Sequence, residues 1–238
     1  MAPSTRTRSS ILLRAVWLGA TLAAAGSAPA TAQTPPSAGE VSRYSGLHAA
    51  ADRGDVAAIE RGASPAALEV RDGHGRTPLH VATFARQRGA VRALLRAGAD
   101  PGALEGDRYD AVTIAAVADD EETLRLLLSL GASAKLVTSR YDGTALIAAA
   151  HLGHDGVVRQ LIAAGAPLDH VNNLHWTALI EAVVLGDGGP RHQATLAALL
   201  QAGANTQLAD RNGQTPLALA RSRGYEPMVR ALLAAGAR

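Results

Sequence analysis

The chain has 238 residues, a length that corresponds to one or two domains, and a formal net charge of +2 at pH 7. It contains no cysteine, which excludes a disulfide framework and thiolate chemistry. The positive excess lies in residues 1–32, so the rest of the chain has 20 basic and 21 acidic residues, which gives no electrostatic footprint for nucleic acid.

Residues 1–32 have the three parts of an export signal. A basic start with three arginines and no acid precedes an apolar run over residues 15–25, and Ala30-Thr31-Ala32 supplies the small residues of a cleavage site. The apolar run of 11 residues is shorter than the about 20 that span a bilayer, although an uncleaved tether is the alternative. We therefore expect a signal peptide over 1–32 and a periplasmic or secreted protein that does not associate with the membrane after cleavage.

The segment 33–43 follows the predicted cleavage point. It is polar and contains Pro35-Pro36, a composition that predicts a flexible linker. The remaining residues, 44–238, are expected to form the folded domain.

A fixed period governs residues 44–238. A Gly-Ala pair recurs along this range, and a helix start lies 21 residues before several of its glycines. These starts are Thr77-Pro78-Leu79-His80, Thr144-Ala145-Leu146 and Thr215-Pro216-Leu217. Such a period indicates a stack of similar units, about six in number. The glycines of the pair are spaced by 36, 33, 34, 38 and 33 residues: Gly62, Gly98, Gly131, Gly165, Gly203 and Gly236.

Each part of the repeated unit has a physical reason. The Thr hydroxyl caps the free N–H groups of the first helical turn, and Pro fits the next position because it has no N–H to satisfy. A second apolar-periodic helix follows, and Gly ends it in the left-handed conformation. The unit is therefore two helices and a loop.

The stretches Asp72–His80 and Asp210–Leu217 resemble the repeat of the ankyrin family, D-x-x-G-x-T-P-L-H-x-A-A. The resemblance extends over residues 44–238. It implies an all-α solenoid of paired antiparallel helices joined by short β-hairpin loops, with a concave face of hairpins and first helices that binds partner proteins. The third unit departs from the pattern with Asp110 in place of Thr, and the fifth carries about five extra residues near 188–192.

The histidines give little support to a metal or cofactor site. His48 and His80 occupy the histidine of the family motif, where hydrogen bonding between turns is the ordinary role. His151 and His154 lie three residues apart, but zinc sites need three or four ligands and no further cluster accompanies them. The acidic run 119–122 lacks the alternating oxygens and the glycine bend of a calcium loop, so it is interpreted as a helix start. We expect no metal and no cofactor.

Glu181 stands where the sister units have apolar residues. A buried carboxylate needs a partner, and Arg191 or His192 in the extra loop of the fifth unit could reach it. Two interpretations stay open: a structural ion pair that fixes that loop, and a small polar pocket that also includes Asp187. The sequence contains no nucleophile elbow, phosphate loop or dinucleotide motif, so an enzyme using Glu181, Asp187 and His192 is the least favoured class.

One position of the hairpin loops is the candidate for partner binding. The residue just before each helix start is expected to be exposed, and Tyr141 lies two residues before Gly143. We predict that Tyr109, Tyr141 and Trp176 form an aromatic ridge, flanked by Arg76 and Arg140, because Tyr and Trp are enriched among interface hot spots. The alternative is that each ring packs on its own loop. The column reads Arg76, Tyr109, Gly143, Trp176 and Gln214.

Together these features predict an exported, non-catalytic scaffold that binds another protein through its concave face. A second hypothesis is an accessory factor that protects or stabilises a periplasmic oxidative-stress enzyme such as catalase. It rests on a resemblance to exported bacterial ankyrin proteins associated with periplasmic catalase. It also rests on the small amount of oxidisable sulfur, which is Met228 alone after residue 32.

Overall fold

The computed structural model describes residues 33–238, and the predicted signal peptide lies outside this range. Six helix pairs follow one another in the described residues. The first helices of the pairs are α2 (Gly46–Arg53), α5 (Pro78–Phe84), α7 (Ala111–Val117), α9 (Ala145–Leu152), α11 (Ala178–Val184) and α13 (Pro216–Ser222). The second helices are α3 (Val56–Gly62), α6 (Arg88–Arg96), α8 (Glu121–Ser129), α10 (Asp155–Ala163), α12 (Pro190–Gln201) and α14 (Glu226–Ala234). Two single-turn helices, α1 (Ala38–Val41) and α4 (Pro65–Leu68), complete the helical elements of this range.

The helices form two layers. Each first helix contacts the first helices of its neighbours, and each second helix contacts the neighbouring second helices. Leu79, Leu94, Leu127, Leu146 and Leu161 are fully buried between the layers. We call the side of the first helices that is turned away from the second helices the first-helix face. This stack confirms the predicted all-α ankyrin solenoid.

The helix starts follow the sequence prediction with one variation. The hydroxyls of Thr144, Thr177 and Thr215 accept hydrogen bonds from backbone N–H groups of the first turn. In the third pair, the side chain of Asp110 does the same for the N–H of Thr113 at 2.8 Å. Asp is an equally good N-cap, so the departure from the motif leaves the helix start intact.

The motif histidines connect neighbouring loops, as expected. His80 Nδ1 accepts a hydrogen bond from the N–H of Thr77 at 3.0 Å, which leaves Nε2 to donate to the carbonyl of Ala103 at 2.9 Å. Burial lowers the pKa of His80 to about 4, so the ring is neutral at pH 7. His48 Nε2 lies 2.8 Å from the carbonyl of Arg76 in the same way.

The glycines that end the second helices behave as predicted in all pairs except the first. Gly62 differs because it lies inside α3, whose C-cap is Ala63. The second helix of this pair has 7 residues against 9 to 12 in the other pairs, and the chain leaves it without a left-handed residue. The others have φ between 78° and 99°: Gly98, Gly131, Gly165, Gly203 and Gly236.

Loops between the pairs reverse the chain as short hairpins. One of them contains a two-residue antiparallel ladder, in which β1 (Val137–Thr138) pairs with β2 (Gly143–Thr144). Within the described residues, no helix has the length and apolar character needed to cross a membrane.

The segment 33–43, which is predicted to be a flexible linker, contains one helical turn and contacts the domain. Ser37 caps α1, with its hydroxyl and N–H both bonded to the carboxylate of Glu40. The same carboxylate forms an ion pair with Arg76 of the first hairpin. The segment is therefore attached to the domain by charge pairing, which a reading of proline and polar content does not reveal.

Candidate functional site

The hairpin turns between the helix pairs share one hydrogen-bonding device. In each turn a side-chain oxygen accepts hydrogen bonds from the N–H groups two and four residues later. The residue three positions after the acceptor has a positive φ, between 52° and 73°. These bonds fix which residues of the turn point outward. The acceptors are Asp72, Glu105, Ser139, Asn172 and Asp210.

Neighbouring hairpins are bonded to each other along the stack. The N–H of Gly106 donates to the carbonyl of His74 at 2.8 Å, and the N–H of Asn173 donates to the carbonyl of Tyr141 at 2.9 Å. Arg140 forms an ion pair with Asp107 of the preceding hairpin. The tips of successive hairpins therefore form one continuous, bonded row.

The predicted aromatic ridge is wrong for most of its members. Tyr109 is 8% exposed and Arg76 is fully buried, while Trp176 is half-buried against the core. This position closes the turn: the carbonyl of Trp176 accepts from the N–H of Asn172 at 3.0 Å, and that of Tyr109 accepts from the N–H of Glu105. The ring of Trp176 packs against the core and Tyr109 is buried, so the three aromatic side chains do not form a continuous exposed ridge.

The guanidinium of Arg76 is held by hydrogen bonds within the protein. Its Nε donates to Asp72 Oδ2 at 2.7 Å, and its other nitrogens contact Glu40 and the carbonyl of Thr34. Burial acts to raise the pKa of Asp72, but hydrogen bonds from Tyr44 and Arg76 outweigh it and lower that pKa to about 2. The Arg76 guanidinium is thus not displayed to solvent as the sequence suggested.

Two large apolar side chains are displayed at the tips of adjacent hairpins. Tyr141 is 50% exposed and Leu174 is 36% exposed. The backbone bond between Asn173 and Tyr141 holds their two turns together, and the side chain of Arg140 is also exposed. We call Tyr141 and Leu174 the hairpin-tip patch. Leu174 was missed from the sequence because its exposure depends on the turn geometry set by Asn172.

Glu181 is buried, as predicted, but its partners are different from those expected. Its Oε1 accepts a hydrogen bond from Asn172 Nδ2 at 3.1 Å, and its Oε2 lies 3.6 Å from His151 Nδ1. Oε2 has no hydrogen-bond partner among the described residues. Burial raises the pKa of Glu181 to about 7, and burial also lowers the pKa of His151.

Arg191 and His192 make other contacts. Arg191 pairs with Asp119 Oδ2 at 2.7 Å, which bridges the fifth helix pair to the third. His192 Nδ1 lies 2.9 Å from Asp187 Oδ1, and its Nε2 bonds to the carbonyl of His151 at 2.9 Å. Neither side chain contacts Glu181.

The extra residues of the fifth pair are packed rather than free. The hydroxyl of Tyr225, from the last pair, donates to the carbonyl of Gly186 at 3.0 Å, and its ring lies against Gly188. A hydrogen bond from the N–H of Gly189 and the contact with His192 lower the pKa of Asp187. These contacts hold the loop that leads into α12. They place no charged side chain of this loop against Glu181.

The remaining polar candidates have ordinary structural contacts. His154 Nδ1 bonds to the carbonyl of Ala116 at 2.9 Å, and Asp120 caps α8 by accepting from Thr123. Within residues 33–238, no group of three or more His, Asp or Glu side chains is placed to hold a metal ion.

Comparison with known proteins agrees with this architecture. The family description "Ankyrin repeats (3 copies)" matches residues 112–210, and "Ankyrin repeat" matches residues 74–105 and 212–238. The chain is 38% identical over 167 residues to the ankyrin repeat protein YahD of Escherichia coli K12, an alignment that covers 70% of this chain and 83% of YahD.

Two solved structures extend the comparison. An ankyrin repeat domain from Acinetobacter baumannii is 45% identical with a TM-score of 0.75, covering 81% of this chain and 98% of that domain. The ankyrin repeat domain of Bcl-3, a member of the IkappaB protein family, is 31% identical with a TM-score of 0.72, covering 82% and 88%. The helix pairs, the bonded hairpins and these similarities together establish that the chain belongs to the ankyrin repeat family.

Proposed function

We propose that this protein is an exported, non-catalytic scaffold that binds another protein through the hairpin-tip patch and the adjoining first-helix face. Ankyrin repeat domains generally mediate protein–protein interaction and are generally non-catalytic scaffolds. The observation that carries the proposal is the exposure of Tyr141 and Leu174 on adjacent, mutually bonded hairpins.

The geometry of the patch suits an interface. Tyr offers a large apolar area with few rotatable bonds and a hydroxyl for hydrogen bonding, which is why it is frequent at contact centres. The turns below the two side chains are fixed by the acceptors Ser139 and Asn172. A pre-ordered surface loses little conformational entropy on binding. Arg140, beside Tyr141, adds an exposed charge at the rim.

Site-specific photo-cross-linking tests the location. A photoreactive amino acid in place of Tyr141 should give a cross-linked product with one partner in cells. The same amino acid in place of Arg125, which is exposed on the second-helix layer, should not. Equal cross-linking from both positions, or from position 125 alone, would contradict the proposal.

The second hypothesis is that the bound protein is a periplasmic oxidative-stress enzyme such as catalase, which the scaffold protects or stabilises. Met228, the single methionine after residue 32, is fully buried, which limits its oxidation. Co-purification from the periplasm distinguishes this hypothesis from a scaffold that binds some other protein. Recovery of such an enzyme, with loss of its activity when the scaffold is deleted, would support the accessory role.

A further inference from the structure

The segment 34–41 lies on the surface where a partner of an ankyrin repeat protein would bind. Pro35, Pro36 and Val41 border a gap of about 100 Å³ whose other walls include Val81 and Phe84 of α5. Val81 is fully buried, and it lies about 200° around α5 from Leu79, at about 100° per helical residue, so it borders the first-helix face. The segment therefore covers part of the first-helix face. We call residues 34–41 the strap.

The strap is held by a small number of separable contacts. Glu40 pairs with Arg76 and lies 3.2 Å from His74 Nε2, and the carbonyl of Thr34 accepts from Arg76 Nη1 at 3.3 Å. Helix α1 has no buried residue, and Pro35 and Pro36 are exposed and half-buried, respectively. Apolar burial, the main source of stability in packed elements, is thus small here.

Release of the strap leaves the domain electrostatically satisfied. Arg76 keeps its bond to Asp72 Oδ2 at 2.7 Å, and Tyr44 keeps its own bond to the same oxygen at 2.7 Å. A buried cation without a carboxylate would be costly, but that state does not arise. Glu40 in turn keeps its bonds to Ser37 within the strap.

The chemistry of the strap identifies what its surface recognises. An extended segment with two prolines leads into a carboxylate that reaches a buried guanidinium, with the exposed His74 beside it. We propose that the strap is a displaceable internal ligand, and that the surface it covers binds an acidic, proline-containing segment of the partner protein. This inference rests on the proposed scaffold function and adds the kind of partner segment.

The strap competes with any free peptide for the surface that it covers, and this competition can be measured. Because only residues 42–45 separate the strap from α2, its effective concentration is about millimolar, and it masks the surface from free peptide. In the full chain, Glu40→Gln weakens the strap, and Glu60→Gln, at an exposed acid on α3, is the matched control. The probe is a fluorescent peptide with the sequence of residues 33–43, and its binding is followed by anisotropy.

The peptide should bind the Glu40→Gln chain at least tenfold more tightly than the wild-type or Glu60→Gln chain. A peptide that itself carries Gln for the glutamate should lose at least tenfold of that affinity. Equal affinity for all three chains, or no binding to any of them at millimolar peptide, would overturn the proposal.

Hydrogen exchange of the wild-type chain gives a test that does not depend on a variant. The amides of Val41 and Ser42, which close α1, should exchange at least a hundredfold faster than those of α5. Equal protection would mean that the strap opens only with global unfolding, and would overturn the proposal.

The strap and the scaffold function can fail separately. If substitution of Tyr141 abolishes partner binding but the peptide does not bind, the strap inference alone is wrong. If the peptide binds but substitution of Tyr141 leaves the partner affinity unchanged, binding through the hairpin-tip patch alone is wrong.

Discussion

The side-chain amide of Asn172 joins the fourth hairpin to the buried carboxylate of Glu181. Its Nδ2 donates to Glu181 Oε1 at 3.1 Å, while its Oδ1 accepts from the N–H groups of Leu174 and Trp176. The family motif has Asp at this position, and an Asp would organise the turn equally well but would offer the carboxylate no donor. The amide at 172 and the carboxylate at 181 therefore depend on each other.

Asn172→Asp should destabilise the protein by about 2 kcal/mol, since it removes a buried hydrogen bond and brings two carboxyl groups together. In a Glu181→Leu background the same change should cost little. Urea unfolding of the four proteins gives the coupling energy as a double-mutant cycle. Asp210→Asn, at the equivalent position of the last hairpin, is the control and should have a small effect. Equal losses in both backgrounds would show that the pair is not coupled.

The stability difference between Glu181→Gln and the wild type should depend on pH. Burial raises the pKa of Glu181 from 4.5 to about 7, so between these values the folded wild type binds more protons than the unfolded chain. Its free energy of unfolding therefore falls as pH rises through this window and levels off above pH 7. The free energy of unfolding of Glu181→Gln should therefore rise relative to that of the wild type by about 3 kcal/mol between pH 4.5 and 8, at 1.36 kcal/mol per pKa unit.

Urea titrations at several pH values measure this difference. His151 is the other titratable group against the carboxyl, so the comparison is repeated in a His151→Asn background, where the same trend should remain. A difference that is constant from pH 4.5 to 8 would contradict a raised pKa at Glu181.

His175→Gly should stabilise the protein. His175 has a φ of 64° at the turn position where the first and last hairpins have Gly75 and Gly213. Left-handed backbone costs a residue with a Cβ about 1 kcal/mol relative to glycine, and the greater freedom of glycine in the unfolded chain offsets part of the gain. Thermal unfolding should show a small rise in Tm. The reverse change, Gly213→His, should lower it, and a rise in both would refute the strain argument.

Trp176→Ala should lower stability rather than act on binding alone. The ring is half-buried against the core, so truncation should cost about 2 kcal/mol, less than for a fully buried aromatic. Tyr141→Ser, at a side chain that is 50% exposed, should leave the free energy of unfolding within about 0.5 kcal/mol of the wild type. Chemical denaturation compares the two, and an unchanged Trp176→Ala protein would show that the ring is displayed after all.

Export remains a prediction from residues 1–32. N-terminal sequencing of the protein recovered from outside the cytoplasm should begin at Gln33 or within two or three residues of it. An intact Met1 on the soluble protein would refute cleavage.

The repeat period, the capping residues and the helix-ending glycines were enough to predict the fold, because each is a local signal repeated in phase. The site was harder to predict because all five turns share the same bonding pattern, and exposure at a hairpin depends on how each side chain packs against the helices. Tyr109 is buried and Trp176 is half-buried against the core, whereas Tyr141 and Leu174 are exposed. Asn172 in place of the motif Asp was the available signal for the partner of Glu181.

The pairing of the strap could not be predicted for a different reason. Glu40 and Arg76 are 36 residues apart, and the ion pair depends on the direction in which the segment leaves α2. Proline and polar content describe the local chain and carry no information about a distant guanidinium.

The affinity of the partner for hairpin-tip variants tests the central claim most directly. Once the partner has been isolated, its Kd should be measured for the wild type, Tyr141→Ser, Leu174→Ser and Arg125→Ala by titration calorimetry, with the unfolding free energy of each protein as a check. We predict a loss of tenfold or more at Tyr141 and at Leu174, about 1.4 kcal/mol or more at each, with little change at Arg125. Unchanged affinity at both tip residues, or an equal loss at Arg125, would contradict binding through the hairpin-tip patch.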